Sequence, residues 1–543
     1  MNMRRTITSL LLFFAVSILV FANERLIEEK KQIARSVLTR NNLSKGKSFS
    51  DIKILKNMSG LSIIGYENGG FAIVSNNDNN EQVLGWSSAC YKDDNKSEGF
   101  TWWLTAMDEV LQSNNNAVRY SLPKNVATEI QPMLTTEWGQ REPYNNMCPT
   151  DCPSGCVATS MAQVMNYNKY PVNGTGSYID MDQAIFIDFS YATYDYANMD
   201  IANYSIMPYN QAQADAVALL MYHCGIAAQM NYAPSGSSAT SINAAKGMRE
   251  NFNYNTNITS RMRDFYKSSL WMELLYNELN AGRPVIYGGA DVNNTGGHSF
   301  VIDGYNTDGL VHVNWGWDGS YNGYYDVSLL NPSDYEFSQH QDMITGADLL
   351  DAQIRHDTQI ATQSDFDVTL SNNVLTTNWD QDVIYNVNDY TFDGSLYGVL
   401  INTATNEIAN IINKVDFSSN AILSLEGVKF NINAIFNTSL SELSLNDGVY
   451  LITRIAVDTG YEECSQIYYP DDVIGSYYLY KEGENYTLKS EKEMSTGIKS
   501  ILSTNNNTSF KDHIYTIDGK RIDNVKETPH GLYIKGGKAY IKK

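Results

Sequence analysis

The segment Cys152–Pro171, CPSGCVATSMAQVMNYNKYP, places a cysteine directly after a glycine and at the start of an expected helix. Val157, Met161 and Met165 recur at i, i+4 and i+8, which predicts a helix with one buried face. Cys156 would lie in its first turn. There the unpaired amides and the helix dipole stabilise a thiolate, so we expect the pKa of Cys156 to be lowered.

Other interpretations of this cysteine-rich segment remain open. Gly155 leaves room beside the sulfur for a substrate backbone, which favours a nucleophile at Cys156. Cys148 and Cys152 could form a disulfide in an exported protein. The C-x3-C-x3-C spacing is a poor match to zinc sites, and a single cysteine is often an inert apolar residue. The rest of the sequence must distinguish between these interpretations of the cysteines.

Length and composition bound the possible functions. The chain has 543 residues, enough for three or four domains, and 43% of them are hydrophobic. The formal net charge is −22, which argues against nucleic acid as a partner because phosphate binding needs clustered Lys and Arg. The 37 tyrosines and the Asn-rich runs are typical of a secreted protein with polar loops.

The N-terminus predicts export. Residues 1–22 contain Arg4 and Arg5, then an apolar run, then the small residue Ala22, which together are typical of a secretory signal peptide. The alternative is a membrane anchor, but the run is short for a span of about 20 residues. No later segment is apolar enough to cross a bilayer.

The pattern of the chain predicts an α+β protein of several units. The first unit should contain an N-terminal helix, two short strands and an amphipathic helix in FTWWLTAMDEVLQS. Short β-runs separated by Asn, Asp and Ser predict a β-sandwich-like module in the second half of the chain. The expected units are a signal peptide (1–22), a first α+β unit (23–124), a second α+β unit (125–350), the β-module (351–488), a linker (489–508) and a small C-terminal β-unit (509–543).

A second segment, GGHSFVIDGYNTDGLVHVNWGWDGSYNGYY, supplies a candidate base. His298 begins an alternating strand, and the following strand carries Asn314 and Trp315. A nucleophilic cysteine needs a nearby base and a third group that orients it. Papain-like enzymes place their histidine roughly 130–150 residues after the cysteine, and His298 follows Cys156 at such a distance. His312 is a second-rank candidate for the base. The alternative interpretation is that His298 is a core histidine in a hairpin and has no catalytic role.

The orienting role of Asn314 requires a particular register in the hairpin. Side chains alternate along strands, so His298 and Asn314 share a face only if paired residue numbers have an even sum. We therefore expect an odd-length connection or a bulge around residues 306–309. Trp315 would cover the contact between His298 and Asn314 and exclude water.

A third segment, TEWGQREPYNNMCP, contains Gln140. Acyl transfer needs hydrogen-bond donors aimed at the developing oxyanion. The side-chain amide of Gln140 and the backbone N–H of Cys156 could supply two such donors. Taken alone, this glutamine would be read as a surface residue.

Together these segments resemble the streptopain family of secreted bacterial cysteine proteases. The similar stretches are WGQREPYN, GCVATSMAQVMNYNKYP, MNYAPSGSSAT, GGHSFVIDGY and HVNWGWDGSYNGYY, within residues 124–350. The resemblance implies a papain-like fold and an endopeptidase made as a zymogen, with residues 23–124 as its inhibitory propeptide and residues 125–350 as its catalytic domain, or catalytic unit. It also implies a preference for a bulky apolar residue two positions before the cut. Gly288 lies near where some relatives carry a polar pocket residue, which leaves the shape of the pocket open.

By position, the resemblance implies the site residues. Cys156 is the expected nucleophile, His298 the base, Gln140 the oxyanion donor, Asn314 the orienting residue and Trp315 its cover. No metal or organic cofactor is expected, and the expected partners are protein substrates and the propeptide. The alternatives are a transglutaminase-like acyl transferase, against which Asn314 speaks, and a non-catalytic adhesin that uses the β-module.

The C-terminal unit, IYTIDGKRI followed by HGLYIKGGKAYIKK, resembles the sorting domains of the type IX secretion system of Bacteroidetes. The resemblance implies passage to the surface of a Gram-negative bacterium, with the secretion machinery as a partner. A plain β-hairpin module is the alternative.

Overall fold

The computed structural model describes most of the chain from residue 24 onward. The signal peptide expected at residues 1–22 and residues 496–508 of the expected linker lie outside the described residues. The described ranges are 24–93, 97–113, 119–180, 185–290, 297–330, 341–349, 358–380, 382–388, 390–417, 428–432, 434–458, 463–495, 514–516, 521–522, 531–535 and 538–542.

Within the described ranges, seven α-helices form where the apolar spacing or the capping residues favour them. Asn210 and Gln213 make a reciprocal capping box at the start of α4, and the Thr240 hydroxyl accepts from the Asn243 amide at the start of α5. The helices are α1 (Ile27–Arg40), α2 (Glu98–Ser113), α3 (Cys156–Asn168), α4 (Gln211–Ala227), α5 (Ser241–Asn251), α6 (Ser268–Asn280) and α7 (Glu491–Ser495).

One antiparallel sheet of ten strands runs through the first unit and the catalytic unit. Its order is β1-β2-β3-β4-β11-β10-β9-β8-β12-β7, so strand β4 of the first unit pairs directly with β11 of the second. The strands are β1 (Lys53–Asn57), β2 (Leu61–Gly65), β3 (Phe71–Ser75), β4 (Val83–Ser87), β7 (Thr259–Met262), β8 (Val285–Ala290), β9 (Gly297–Tyr305), β10 (Val311–Asn314), β11 (Gly323–Tyr325) and β12 (Asp342–Thr345). A separate hairpin joins β5 (Ser177–Asp180) and β6 (Ile185–Asp188).

The first unit differs from the sequence prediction in one respect. We expected two short strands in residues 61–88, and the structure has three, β2 to β4. The last two are separated by the polar run SNNDNNEQ, which breaks the apolar pattern. The helices α1 and α2 lie where the periodicity predicts them.

The two faces of the central strands pack against different helices. On one face, Ile286, Val301 and Ile344 join a core with buried residues of α3, α4 and α5. On the other face, alternate residues such as Tyr287 and Phe300 join a core with α2 and α6. Because neighbours along a strand point to opposite faces, this assignment places every side chain of β8, β9 and β12.

The region after residue 357 is all-β apart from the short α7. It contains antiparallel sheets of three, three and six strands around a core that includes Trp379 and Leu396. The strands are β13 (Ile360–Thr362), β14 (Asp367–Ser371), β15 (Val374–Asn378), β16 (Asp382–Asn386), β17 (Gly394–Asn402), β18 (Glu407–Phe417), β19 (Val428–Ile432), β20 (Ile435–Ser439), β21 (Gly448–Asp458), β22 (Glu463–Gln466), β23 (Tyr477–Glu482) and β24 (Asn485–Ser490). From here on, the name β-module denotes residues 358–495, which include α7 from the predicted linker.

The β-module packs on the segment of the catalytic unit that joins β7 to α6. The Tyr266 hydroxyl donates to Gln359 Oε1 at 2.7 Å, and the ring of Tyr266 lies 4.8 Å from that of Tyr468 between centroids. Asp471 accepts from the backbone N–H of Ser268, at the start of α6, at 2.9 Å. The module is thus joined to the catalytic unit by buried apolar and polar contacts.

The C-terminal unit adds a four-stranded antiparallel sheet in the order β26-β25-β27-β28. Its strands are β25 (Ile514–Thr516), β26 (Arg521–Ile522), β27 (Gly531–Lys535) and β28 (Lys538–Lys542). Across the described residues, no helix combines the length and the apolar character needed to span a membrane.

Candidate active site

Cys156 is the first residue of α3, as the sequence predicts. Gly155 precedes it as the N-cap with φ of +89°, a backbone conformation that residues with a side chain rarely adopt. A Cβ at Gly155 would also lie 2.7 Å from the Met230 methyl carbon. Conformation and space both require glycine directly before the cysteine.

The Cys156 thiol lies among backbone amides. It accepts from the N–H of Ser299, Val157 and Cys156 itself, which favours the thiolate as expected for a helix N-terminus. Burial has the larger effect, however, and raises the pKa of the Cys156 thiol above its ordinary value. The nearby charge of Glu98 raises it further. The expectation of a lowered pKa is therefore wrong for this form of the protein.

His298 is the second residue of β9 and pairs with Gly289 of β8. Its neighbour Ser299 is the residue whose amide donates to the Cys156 sulfur, so the fold brings the nucleophile and the base candidates together. His298 Nδ1 lies 3.6 Å from Glu98 Oε2, at the start of α2. The imidazole is thus in contact with a carboxylate of the first unit.

Asn314 ends β10 and is buried, but its hydrogen bonds do not involve His298. Its Nδ2 donates to Thr136 O at 2.6 Å and to Gln163 Oε1 at 3.1 Å. Its Oδ1 accepts from Gln163 Nε2 at 3.3 Å and from Gly316 N at 3.1 Å. In this form the structure does not join the expected orienting residue to the expected base.

The register of the hairpin explains the separation. The expected odd-length connection is present, because five residues link the paired Tyr305 and Val311. A bulge between His312 and Val313 then shifts the register, so that Asn314 pairs with Val301. Asn314 therefore shares the α3 face with Val301, whereas alternation places His298 on the opposite face.

Trp315 is 2% exposed and lies between the two units rather than over an Asn314–His298 contact. Its indole N–H donates to Tyr321 O at 3.0 Å. Its ring centroid is 4.8 Å from that of Phe300 in β9 and 6.1 Å from that of Phe100 in α2. The tryptophan is therefore part of the surface on which α2 lies.

Gln140 is held close to the nucleophile through the backbone. Its carbonyl oxygen accepts from the N–H of Ser154, two residues before Cys156, at 3.0 Å. Its side chain is partly exposed. Gln140 is therefore in the neighbourhood that an oxyanion donor requires.

His312 and the cysteines other than Cys156 have environments that differ from those of His298 and Cys156. His312 Nδ1 lies 2.5 Å from Oδ1 of the buried Asp303, so this histidine already has a carboxylate partner. All six cysteines have free thiols, and burial raises the pKa of Cys148 to about 11. Within the described ranges, no cluster of His, Cys, Asp and Glu could hold a metal ion.

Sequence reasoning missed four residues that shape the site. Thr136 and Gln163 hold Asn314, and a signal for Gln163 was available, since a glutamine within the buried pattern of α3 needs a polar partner. Glu98 and Trp102 belong to the first unit. No local sequence feature indicates that they reach the neighbourhood of Cys156.

Comparisons with known proteins agree with the geometry. A model of the peptidase C10 family matches residues 138–325. Streptopain from Streptococcus pyogenes is 29% identical over 360 residues, which cover 58% of this chain and 88% of streptopain. The thiol protease/hemagglutinin PrtT of Porphyromonas gingivalis is 28% identical over 315 residues, which cover 52% of this chain and 36% of PrtT.

A solved structure covers both units. A fragment of prointerpain A from Prevotella intermedia is 42% identical, with a TM-score of 0.51. The match covers 54% of this chain and 98% of that fragment.

Proposed function

This chain belongs to the peptidase C10 family and is a cysteine endopeptidase made as a zymogen, and we propose that Cys156 and His298 carry its chemistry. The observation that supports this assignment is the hydrogen bond from the amide of Ser299 to the Cys156 sulfur. It fixes the residue beside His298 against the helix terminus that bears the nucleophile.

The proposed reaction follows from these positions. The thiolate of Cys156 attacks the carbonyl carbon of a peptide bond, and the negative charge moves to the carbonyl oxygen. The N–H of Cys156 and the side-chain amide of Gln140 stabilise that oxyanion. His298, as imidazolium, gives its proton to the leaving amine as the C–N bond breaks. It then takes a proton from water, which hydrolyses the thioester and regenerates the thiolate.

We propose that residues 23–124 are the inhibitory proregion. Its helix α2 lies over the face of the sheet that carries His298. The Trp102 indole N–H donates to Ala290 O at 3.1 Å, and a Cβ at Gly289 would lie only 2.1 Å from the Trp102 ring. Once the proregion leaves, His298 loses its contact with Glu98. An orienting contact with Asn314 then requires the end of β9 to rearrange, because the two side chains lie on opposite faces of the sheet in the zymogen.

The test compares self-processing and casein cleavage by the purified zymogen with those of two alanine variants under reducing conditions. We expect Cys156→Ala to stay full length and inactive, with a loss of about 10⁴-fold or more. Cys152→Ala is the matched control, because it removes a neighbouring thiol that has no assigned role. Equal processing by Cys156→Ala and wild type would disprove the assignment.

His298→Ala and His312→Ala form the corresponding pair for the base. We expect loss of cleavage only for His298→Ala, measured on zymogen that has been processed in trans. Equal loss in both variants would mean that the structural setting of the histidines, and not catalysis, explains the effect.

We further propose that the chain is exported and sorted to the cell surface. Residues 1–22 support a signal peptide, and the β-unit at 509–543 supports a sorting role. Fusion of residues 489–543 to a periplasmic reporter, in a host with a type IX secretion system, should direct the reporter to the cell surface. A reporter retained in the periplasm would contradict the sorting role.

A further inference from the structure

A polar stripe runs along α3 from the nucleophile. Its side chains recur at i, i+3, i+4 and i+7, a spacing that places them on one face of the helix. The members of the stripe are Cys156, Thr159, Ser160 and Gln163. The last three are fully buried. Buried polar side chains need hydrogen-bond partners, so the partners of this stripe show which parts of the site α3 holds in place.

Gln163 ties two other elements to α3 through one side-chain amide. Its Oε1 accepts from the Thr136 hydroxyl at 2.9 Å, from the Trp138 backbone N–H at 3.2 Å and from Asn314 Nδ2 at 3.1 Å. Its Nε2 donates to Asn314 Oδ1 at 3.3 Å. The amide therefore holds both the segment that leads to the expected oxyanion donor and the end of β10.

That segment, residues 136–140, is called the oxyanion arm below because it ends at Gln140. The carbonyl oxygen of Gln140 accepts from the N–H of Ser154, in the turn before α3, at 3.0 Å. The carbonyl oxygen of Gly139 accepts from the Thr159 hydroxyl at 3.3 Å. Together with the two hydrogen bonds from the arm to the buried glutamine, these contacts fix the arm against the element that carries the nucleophile.

The distance of Gln163 from the nucleophile decides how it acts. It lies seven residues after Cys156, about 10 Å along the helix axis, so its amide does not reach the carbonyl group that reacts. The Gln140 amide, in contrast, has to lie about 3 Å from the oxyanion. Only Gly139 separates Gln140 from Trp138, whose N–H is bound to Gln163. A displacement of Trp138 is therefore passed on to the oxyanion donor.

We propose that Gln163 is a positioning residue for the reaction, which holds the oxyanion arm so that the Gln140 amide lies where the oxyanion forms. This inference rests on the proposed roles of Cys156 and Gln140. It requires the length of a glutamine as well as its acceptor. An asparagine carries the same amide one methylene group shorter, which takes its oxygen out of hydrogen-bond range of the Trp138 N–H. A glutamate keeps both the length and an accepting oxygen.

The test measures kcat and KM for a fluorogenic peptide, with each variant made as the full-length zymogen and processed in trans by the wild-type enzyme. In Gln163→Asn we expect kcat to fall about 10-fold while KM changes less than about twofold, because the lost interaction acts in the transition state. Gln163→Glu should keep kcat within about threefold of the wild type, since its carboxylate still accepts from the arm.

Asn166→Ser is the matched control for the shortened side chain. Asn166 is a buried amide on the same helix, and its Oδ1 accepts from Lys169 at 2.9 Å, away from the arm. The control can therefore lower the stability of α3, but it should leave kcat within about twofold of the wild type. Thermal unfolding of each variant separates loss of stability from loss of activity in the folded enzyme.

A double-mutant cycle with Gln140→Ala identifies the group through which Gln163 acts. Gln140→Ala alone should lower kcat about 100-fold, a usual cost of losing one oxyanion donor. In that background Gln163→Asn should lower kcat less than about twofold further, because the donor that it positions is already absent. Losses that multiply would overturn the inference, since Gln163 would then act through another group such as Asn314.

Three other results would overturn the inference while leaving the nucleophile in place. They are an unchanged kcat in Gln163→Asn, an equal loss in Asn166→Ser, and a Gln163→Glu variant as impaired as Gln163→Asn. In each of these cases wild-type enzyme still cleaves the peptide and Cys156→Ala does not. If wild type and Cys156→Ala are equally inactive, the proposed function fails and the inference fails with it.

Discussion

The proregion and the β-module both pack against the catalytic unit, but they do so in different ways. The proregion extends the central sheet through β4 and β11 and places Glu98 and Trp102 beside the strands that carry the site. The β-module binds at the segment before α6, where its contacts are aromatic and deeply buried. The proregion contacts the candidate base His298, whereas the β-module contacts Tyr266, in the segment before α6.

This difference indicates which partner the enzyme can lose. The catalytic unit keeps its own core on the α3 face when the proregion leaves, because α3, α4 and α5 belong to the catalytic unit. Loss of the β-module would expose Phe265 and Tyr266 and leave Arg263, which is 3% exposed, beside water. Loss of the proregion would likewise expose Phe300 and Trp315, which pack against α2. We therefore expect both partners to contribute to stability, and the proregion, which contacts His298, to regulate activity as well.

The largest expected effect comes from deleting the β-module, residues 358–495, in the Cys156→Ala background. Exposing Phe265 and Tyr266 should cost about 1.5–3 kcal/mol for each side chain, or about 3–6 kcal/mol in total. Chemical denaturation followed by tryptophan fluorescence measures the loss. An unchanged unfolding midpoint after loss of the β-module would show that the two units are independent.

The second effect concerns Trp102, the proregion residue that covers Gly289. In Trp102→Ala we expect the isolated proregion to inhibit the processed enzyme about 100-fold more weakly, because a large side chain at a packed interface is removed. Inhibition constants measured with a fluorogenic peptide test this. Phe49→Ala is the control, since Phe49 is an exposed aromatic residue of the same proregion. Equal inhibition by both variants would contradict the role assigned to Trp102.

Much of the fold could be predicted from the sequence because its signals are local. The apolar spacing predicted α2 and α3, and alternation predicted β9. The pairing of Ser87 with Gly323 could not be predicted, because it joins residues far apart in the chain and no local pattern specifies the partner of an edge strand. The division of the chain at residue 124 therefore cuts across a continuous sheet.

The residues of the candidate site could be proposed from the sequence, but the pKa of Cys156 and the contacts of Asn314 could not. The glycine before Cys156 and the spacing to His298 identify the nucleophile and base candidates. The raised pKa of Cys156 depends on burial in the folded protein and on the charge of Glu98, which is far away in the sequence, and composition reveals neither. The placement of Asn314 depends on a bulge beside His312. The imidazole of His312 is there paired with the carboxylate of the buried Asp303.

The third effect is smaller and concerns the contact between the β-module and α6. Asp471 accepts from the backbone N–H and the hydroxyl of Ser268, and so acts as a cap supplied by another unit. Asp471→Ala should lower the free energy of unfolding by about 1–2 kcal/mol, the usual cost of losing a helix cap. Urea denaturation of the Cys156→Ala zymogen measures this. The neighbouring Asp472→Ala should change it by less than about 0.5 kcal/mol, and equal losses would contradict the capping role.

The smallest effect belongs to Glu98, whose side chain is 58% exposed. An exposed ion pair contributes less than about 1 kcal/mol, so Glu98→Gln should weaken inhibition by the proregion less than about fivefold. The charge of Glu98 raises the pKa of Cys156, and its removal should therefore lower that pKa in the zymogen. The rate of iodoacetamide alkylation as a function of pH reports this shift directly.

The matched control for this last change is Glu109→Gln, on the same helix and exposed, but absent from the charges that act on Cys156. We expect the alkylation midpoint to move to lower pH in Glu98→Gln and to stay unchanged in Glu109→Gln. The processed enzyme, which lacks Glu98 altogether, should be alkylated at lower pH than the wild-type zymogen, because the charge that raises the pKa of Cys156 is gone. A midpoint that is the same in zymogen and processed enzyme would mean that the proregion inhibits only by blocking access, and not by holding the nucleophile as a thiol.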